Sequence, residues 1–190
     1  MGAPQPGLVI FLSNEDPSTD AAPFDAPAPS IVEACAHYRA ADARTPSYVT
    51  IYTVSDIEAI PAGDCSGDRK RVYRRLHDAA VGEPLPGNIK GGVILSTGGS
   101  HTAPEALVAW HAGALPQLRA VPGWVRAAGY ELVRGAETVG FMLGLQEYES
   151  ESSFGTEEFE RYVGDSKRVE IIRDSSKNER RILLLYKTVV

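Results

Sequence analysis

Apolar positions along this chain gather into short continuous runs, punctuated by Gly, Pro and acidic residues. Gly7 to Ser13 (GLVIFLS) is apolar almost throughout and is bounded by Pro6-Gly7 and Asn14-Glu15-Asp16-Pro17. That pattern predicts a strand buried on both faces. A short turn near Ile31 leads into a strand centred on His37-Tyr38-Arg39. Val49 to Ser55 (VTIYTVS), within the longer run Tyr48 to Asp56, has the β-branched and aromatic content of a third. Lys70-Arg71-Val72-Tyr73 opens a fourth segment, with Arg71 to Ala79 fitting a strand or a short helix. The same series then recurs: Gly91 to Thr97 (GGVILST), Gly129-Tyr130-Glu131, Leu143 to Ser150 (LGLQEYES) and Arg180-Arg181-Ile182-Leu183. A repeat of this kind bears on architecture before any motif is read.

Helical signals belong to the second copy. Thr102-x-x-Glu105 is a capping box, and the helix it opens reaches about Val121. Leu107, Ala114, Leu118 and Val121 form its apolar stripe, flanked by Trp110 and His111. Pro116 is expected to kink or restart it near Leu115. Trp124 to Val133 and Val139 to Ser150 predict a hairpin, Thr156 caps a second helix through Tyr162, and Asn178 to Val190 closes with a strand. The order is βαββαβ, the ferredoxin-like unit. In the first copy the stretch between strands one and two is about eight residues shorter, and that between strands three and four about sixteen shorter. Four prolines between Asp16 and Ser30 oppose a long helix there. The expectation is an α+β fold of two ferredoxin-like halves, the first with reduced helices, forming an intrachain α/β-barrel. Residues 1–80 make the first half, 81–90 a linker and 91–190 the complete half. Two such halves closing on each other can enclose a small-molecule pocket. A half-sheet without helices leaves an apolar face that loops, a partner or a ligand must cover.

The net charge of −6 narrows the partners. It argues against nucleic acid, which requires a clustered basic face. The basic run Arg69 to Arg75 is interrupted by Val72 and Tyr73 and reads as one solvated strand face. No apolar stretch exceeds about ten residues, so no membrane helix is expected. The N-terminus lacks the regions of a signal peptide, and the expected location is cytoplasmic. Cys35 and Cys65 are the only cysteines; they are expected as reduced thiols and cannot build a metal cage. Neither a Gly-x-Ser-x-Gly elbow, a phosphate loop, a dinucleotide fingerprint nor a His-Glu-x-x-His pair occurs. No metal or cofactor is therefore expected.

The string Leu115-Pro116 … Val121-Pro122-Gly123-Trp124-Val125-Arg126 … Tyr130-Glu131-Leu132-Val133 resembles the helix-to-strand passage of dimeric α/β-barrel proteins. Gln146-Glu147-Tyr148-Glu149-Ser150 and Arg180-Arg181-Ile182 … Leu185-Tyr186 add to the likeness. It is similar to tandem members from filamentous fungi, grouped with the EthD-like and antibiotic-monooxygenase-like branches. The resemblance covers nearly all of the second copy and only the strands of the first. It implies a barrel with outer helices and a small hydrophobic ligand held between a sheet and its own helices. It also implies cofactor-free cyclase, isomerase, dehydratase or oxygenase chemistry, haem degradation, or no activity. Such members carry a His two residues before the helix Pro. Ala114 stands there in this chain, with His111 almost one turn earlier.

His111, beside an apolar stripe, has the side chain suited to proton transfer near neutral pH; its structural alternative is a partly exposed helix residue. His37 begins a strand and is a candidate for the exposed first-copy face. His101 reads as a loop residue and His77 as solvated. Glu147, in an otherwise apolar strand, suits general acid work if buried, and water-facing if the strand frays. Tyr52 and Gln146 are repeat-equivalent, as are Val54 and Tyr148. Tyr52, Tyr130 and Tyr148 either orient a substrate oxygen or serve as amphipathic core. The candidate site is thus His111, Glu147 and Tyr148 for catalysis, with Trp110, Tyr52, Gln146, Tyr130 and His37 for substrate. The expected function is a cofactor-independent enzyme acting on a small apolar oxygenated secondary metabolite by cyclisation, isomerisation or dehydration. The alternatives are a non-catalytic ligand-binding or interaction protein, with a homodimer through the uncovered face, and a haem- or oxygen-dependent monooxygenase.

Overall fold

The computed structural model describes residues 3–17, 26–61, 69–80, 92–101, 104–136 and 141–189, with backbone only at 77–80, 101 and 104. The proposed linker 81–90, Thr102 and Cys65 lie outside the described residues. Eight strands appear in the expected order: β1 (Gly7–Ser13), β2 (Val32–Ala40), β3 (Tyr48–Val54), β4 (Lys70–Ala80), β5 (Val93–His101), β6 (Trp124–Arg134), β7 (Phe141–Tyr148) and β8 (Ser175–Thr188). The fourth segment is strand throughout. Helix α1 (Pro104–Ala120) follows β5, and α2 (Glu157–Val163) and α3 (Ser166–Arg173) precede β8.

The strands close into an antiparallel barrel in the order β1-β3-β2-β8-β5-β7-β6-β4. Each half runs fourth, first, third, second, the ferredoxin-like order. The halves meet at the seams β2–β8 and β4–β6. Inter-strand register confirms three of the four strand equivalences. Tyr38 opposes Val49 as Tyr130 opposes Leu143. Ile10 and Ser96 oppose Arg71 and Arg181. The opening strands align two residues away from the sequence reading: Gly7 opposes Val54 as Val93 opposes Tyr148, so Gly7 matches Val93 rather than Gly91. A shift of two preserves side-chain facing, so apolar patterning could not reveal it.

Alternating side chains divide each sheet into two faces. The inward faces fill the barrel with Leu8, Tyr38, Ile51, Tyr73, Ile94, Tyr130, Phe141, Leu145 and Leu183. The expected hollow between the halves is therefore occupied by side chains. The outer face of the first sheet is likewise not uncovered, contrary to expectation. Val9, Val54 and Val72 are fully buried there, beneath Ile57 and Ile60 with Ala26, Ile31 and Val32 alongside. Loops of the same chain pack over this face in place of the missing helical layer. Cys35 is a buried free thiol within it.

Helix α1 packs Ala114 and Leu118, with Val121 just past its end, on the outer face of the second sheet, against Leu95, Trp124, Ala127 and Tyr148. It begins on Pro104, whose fixed φ and missing N–H suit a first turn. It runs on through Pro116 without restarting. The carbonyl that Pro116 leaves without an intrahelical donor belongs to Ala112, an exposed residue whose carbonyl is open to solvent. The Thr156 cap is as expected: its side chain accepts from Phe159 N. Helix α3 was not expected. It is short, capped by Asp165, and buries an arginine, Arg168.

Candidate functional site

The outer face of the second sheet carries several glycines beneath the first half of α1. Gly129 on β6 lies directly opposite Gly144 on β7. The equivalent positions of the first sheet are His37 and Thr50, also directly opposite, whose side chains hydrogen-bond at 2.8 Å and fill the space. Over the two glycines a cavity of about 410 Å³ opens between the sheet and its helices. Thr97, Gly99 and Met142 complete its floor. Leu107, Val108, Trp110 and His111 of α1 form one wall; Tyr162 of α2 and Arg168, Ile171 and Ile172 of α3 form another. Arg44, Asn178 and Arg180 line the rest.

His111 is buried, and its ring lies directly above Gly144. A Cβ at residue 144 would come within 3.4 Å of His111 Nε2 and 3.1 Å of Thr97 Oγ1. Trp110 stacks on Tyr162 with ring centroids 6.4 Å apart. Behind this wall runs a buried polar chain. Tyr148 Oη donates to Gln146 Oε1 at 2.9 Å, and Gln146 Nε2 donates to Tyr162 Oη at 2.6 Å. The Arg168 guanidinium lies 5.6 Å from the Tyr162 ring centroid. Burial pushes both phenols up, that of Tyr148 strongly and further by the neighbouring Tyr162, while Arg168 partly offsets the rise at Tyr162. Both stay protonated at neutral pH; Tyr148 donates within the chain and Tyr162 accepts.

The structure thus brings Trp110 and His111 to the cavity and sets Gln146 and Tyr148 one layer behind it. The other candidates lie elsewhere. Glu147 alternates with Gln146 and Tyr148 and points into the barrel, on the opposite face from His111. There Arg126 Nε donates to its Oε1 at 2.6 Å in a buried ion pair. Tyr130 also faces the barrel interior. Tyr52 packs edge-on against Phe11 in the outer core of the first half. His37 lies on that same face; burial and then the charge of Lys187 hold its imidazole below the usual value, against a smaller opposing effect of Asp16. His101 falls at the end of β5 and His77 within β4, with side chains outside the described set. Sequence reading missed Tyr162, Arg168, Arg180 and the glycine pair. Two glycines inside apolar strands were the available signal, since a strand glycine often marks a close approach.

Solved structures with this architecture are readily found. An anthrone oxidase-like protein superposes with a TM-score of 0.63 at 13% identity, covering 97% of this chain and 92% of the other. The chain shares its fold. A monooxygenase-like protein from Listeria innocua gives 0.60 at 10% identity, covering 97% and 95%. A heme-degrading enzyme from Listeria monocytogenes gives 0.50 at 14%, covering 79% and 83%. No family model matches the chain, and no curated protein matches it by sequence. The dimeric α/β-barrel fold implied by the sequence resemblance is the observed one. Among the described residues no helix is long and apolar enough to cross a membrane, and no group of three or more His, Cys, Asp or Glu side chains is placed to hold a metal.

Proposed function

We propose that this chain is a small cofactor-independent enzyme of secondary metabolism that takes an apolar, oxygenated, polyketide-like molecule into the cavity over Gly129 and Gly144. The observation that carries the reading is the placing of His111 on the wall of that cavity. Its imidazole takes a proton from a carbon beside a carbonyl, and the electron pair moves onto the carbonyl oxygen as an enolate. The protonated ring returns the proton at another carbon for isomerisation, or to a departing hydroxyl for dehydration. Ring closure follows where the enolate carbon attacks a second carbonyl of the same folded chain. Holding a flexible substrate in one conformation supplies much of the acceleration, so few acid–base groups are required.

Oxygenation is the second reading, favoured by the structural likeness to oxidase-like and monooxygenase-like proteins. The same enolate would combine with dioxygen, and loss of water would leave a ketone in place of the methylene. Anthrone, whose methylene is acidic, serves as probe for both. Under argon in heavy water, exchange of that methylene followed by NMR is expected to be faster with protein than without. The His111→Asn variant, checked for folding by circular dichroism, is expected to lose about 100-fold or more of that acceleration. Exchange unaffected by the substitution removes His111 from the mechanism. Stoichiometric oxygen uptake in air moves the assignment to the second reading.

A further inference from the structure

We propose that the cavity contains an anion subsite, in which Arg168 and Arg180, with Arg44 beside them, hold a carboxylate carried on the apolar body of the ligand. The inference rests on the reading of the cavity as the ligand site and specifies what enters it. Three guanidinium groups line the cavity, and no Asp or Glu side chain does so among the described residues. This is unexpected in a chain with 25 acidic and 19 basic residues.

Arg168 is only 7% exposed. Its Nη1 donates to the Val163 carbonyl at 3.1 Å, and its cationic face lies over Tyr162. Neither contact supplies a counter-charge. The acid nearest in sequence, Asp165, is engaged elsewhere: it caps α3 through the Arg168 backbone amide and accepts from Gln117. Arg180 has no carboxylate partner among the described residues, and Arg44 Nη1 is bound to the Arg180 carbonyl at 3.1 Å. Burial, then the positive charge of Arg168, hold the Arg180 guanidinium below its usual value, with Arg44 acting in the same direction. A buried cation such as Arg168 is normally paired, because leaving water without a counter-charge is costly, while Arg180 and Arg44 stand on the exposed side of the cavity lining. An incoming carboxylate relieves that cost and suits the planar fork of a guanidinium. The facing walls of Trp110, Leu107, Val108, Ile171 and Ile172 take an aromatic or polyene body. The volume lies within the range of small-molecule sites.

A matched pair of fluorescent probes tests the subsite: 9-anthracenecarboxylate and the uncharged 9-anthracenemethanol, titrated by fluorescence anisotropy. The wild-type protein is expected to bind the carboxylate at least tenfold more tightly, with a preference that shrinks as salt is raised. Arg180→Met is expected to abolish the preference while leaving the alcohol's affinity unchanged, and Arg180→Lys to keep part of it. Arg168→Met is expected to act in the same direction, with its melting temperature measured beside it because Arg168 also ties down the end of α2. Equal wild-type affinity for the two probes, or equal losses for both in Arg180→Met, overturns the subsite and leaves the cavity reading standing. Failure of both probes to bind the wild-type protein overturns the two together.

Discussion

Thr50 and Gly144 occupy equivalent places on the outer faces of the two sheets, and the difference between them separates a filled face from a hollow one. Thr50 bonds to His37 and leaves no room. Gly144 lets the His111 ring settle toward the sheet and leaves open space around it. Substituting Gly144→Thr, the first half's own residue at that place, brings a Cβ to 3.1 Å from Thr97 Oγ1 and adds a branch beyond it. The strand accepts threonine well, so the melting temperature is expected to stay within a few degrees of wild type. Affinity for 9-anthracenemethanol is expected to fall by at least about tenfold, about 1.4 kcal/mol. Retained affinity would mean that the probe binds away from the floor of the cavity. The residue scale also explains where sequence reading misplaced Glu147. Its neighbours Gln146 and Tyr148 face outward, and strict alternation turns it inward to Arg126. Nothing in the local string Gln-Glu-Tyr states which face of the sheet carries the helices.

At the scale of elements, strands were legible and the helical layer only partly so. Apolar or alternating runs bounded by turn residues marked most strands, the segment Arg71 to Ala79 stayed open between strand and short helix, and the repeat set the order. Helix α2 was legible because Thr156 followed by Glu157 and Glu158 is a strong start signal. Helix α3 was not. Its sequence SKRVEIIR leaves Val169 exposed and buries Arg168, so hydrophobic periodicity gives no outline of it. Three of the four residues of the cavity's second wall were hidden for that reason, Arg168 among them. The only local signature of α3 is Asp165, whose Oδ1 accepts from Arg168 N at 3.0 Å and whose Oδ2 accepts from Gln117 of α1. Asp165→Ala removes both contacts. It is expected to cost about 1 kcal/mol in urea unfolding, the usual loss for a helix cap. A variant as stable as wild type would show that α3 is held by its packing alone.

For the whole molecule, the barrel is closed by two strand seams and by side-chain pairs reaching from one half to the other. Arg181 of β8 donates to Asp42, in the turn after β2, at 2.9 Å, and Arg71 of β4 pairs with Glu179 of β8 at 3.2 Å. Burial alone would raise both carboxyls. The hydrogen bonds and charge of Arg181 around Asp42, and of Arg71 and Lys177 around Glu179, bring both below their usual values. A carboxyl held low in the folded state adds stability at any pH above its unfolded value, near 4 for Asp and Glu. That stability is lost as pH falls through the folded values. The part of the urea-unfolding free energy that these two carboxyls supply is therefore expected to be level from pH 7 to about 5 and to decline below it. Partly exposed pairs each contribute on the order of 0.2–1 kcal/mol, so the decline due to these two is about 1 kcal/mol. The double variant Asp42→Asn with Glu179→Gln is expected to be less stable than wild type at pH 7 and to approach it near pH 3. A gap that stays constant from pH 7 to 3 would show that neither carboxyl is shifted by its partner. It would leave the backbone seams as what holds the two halves together.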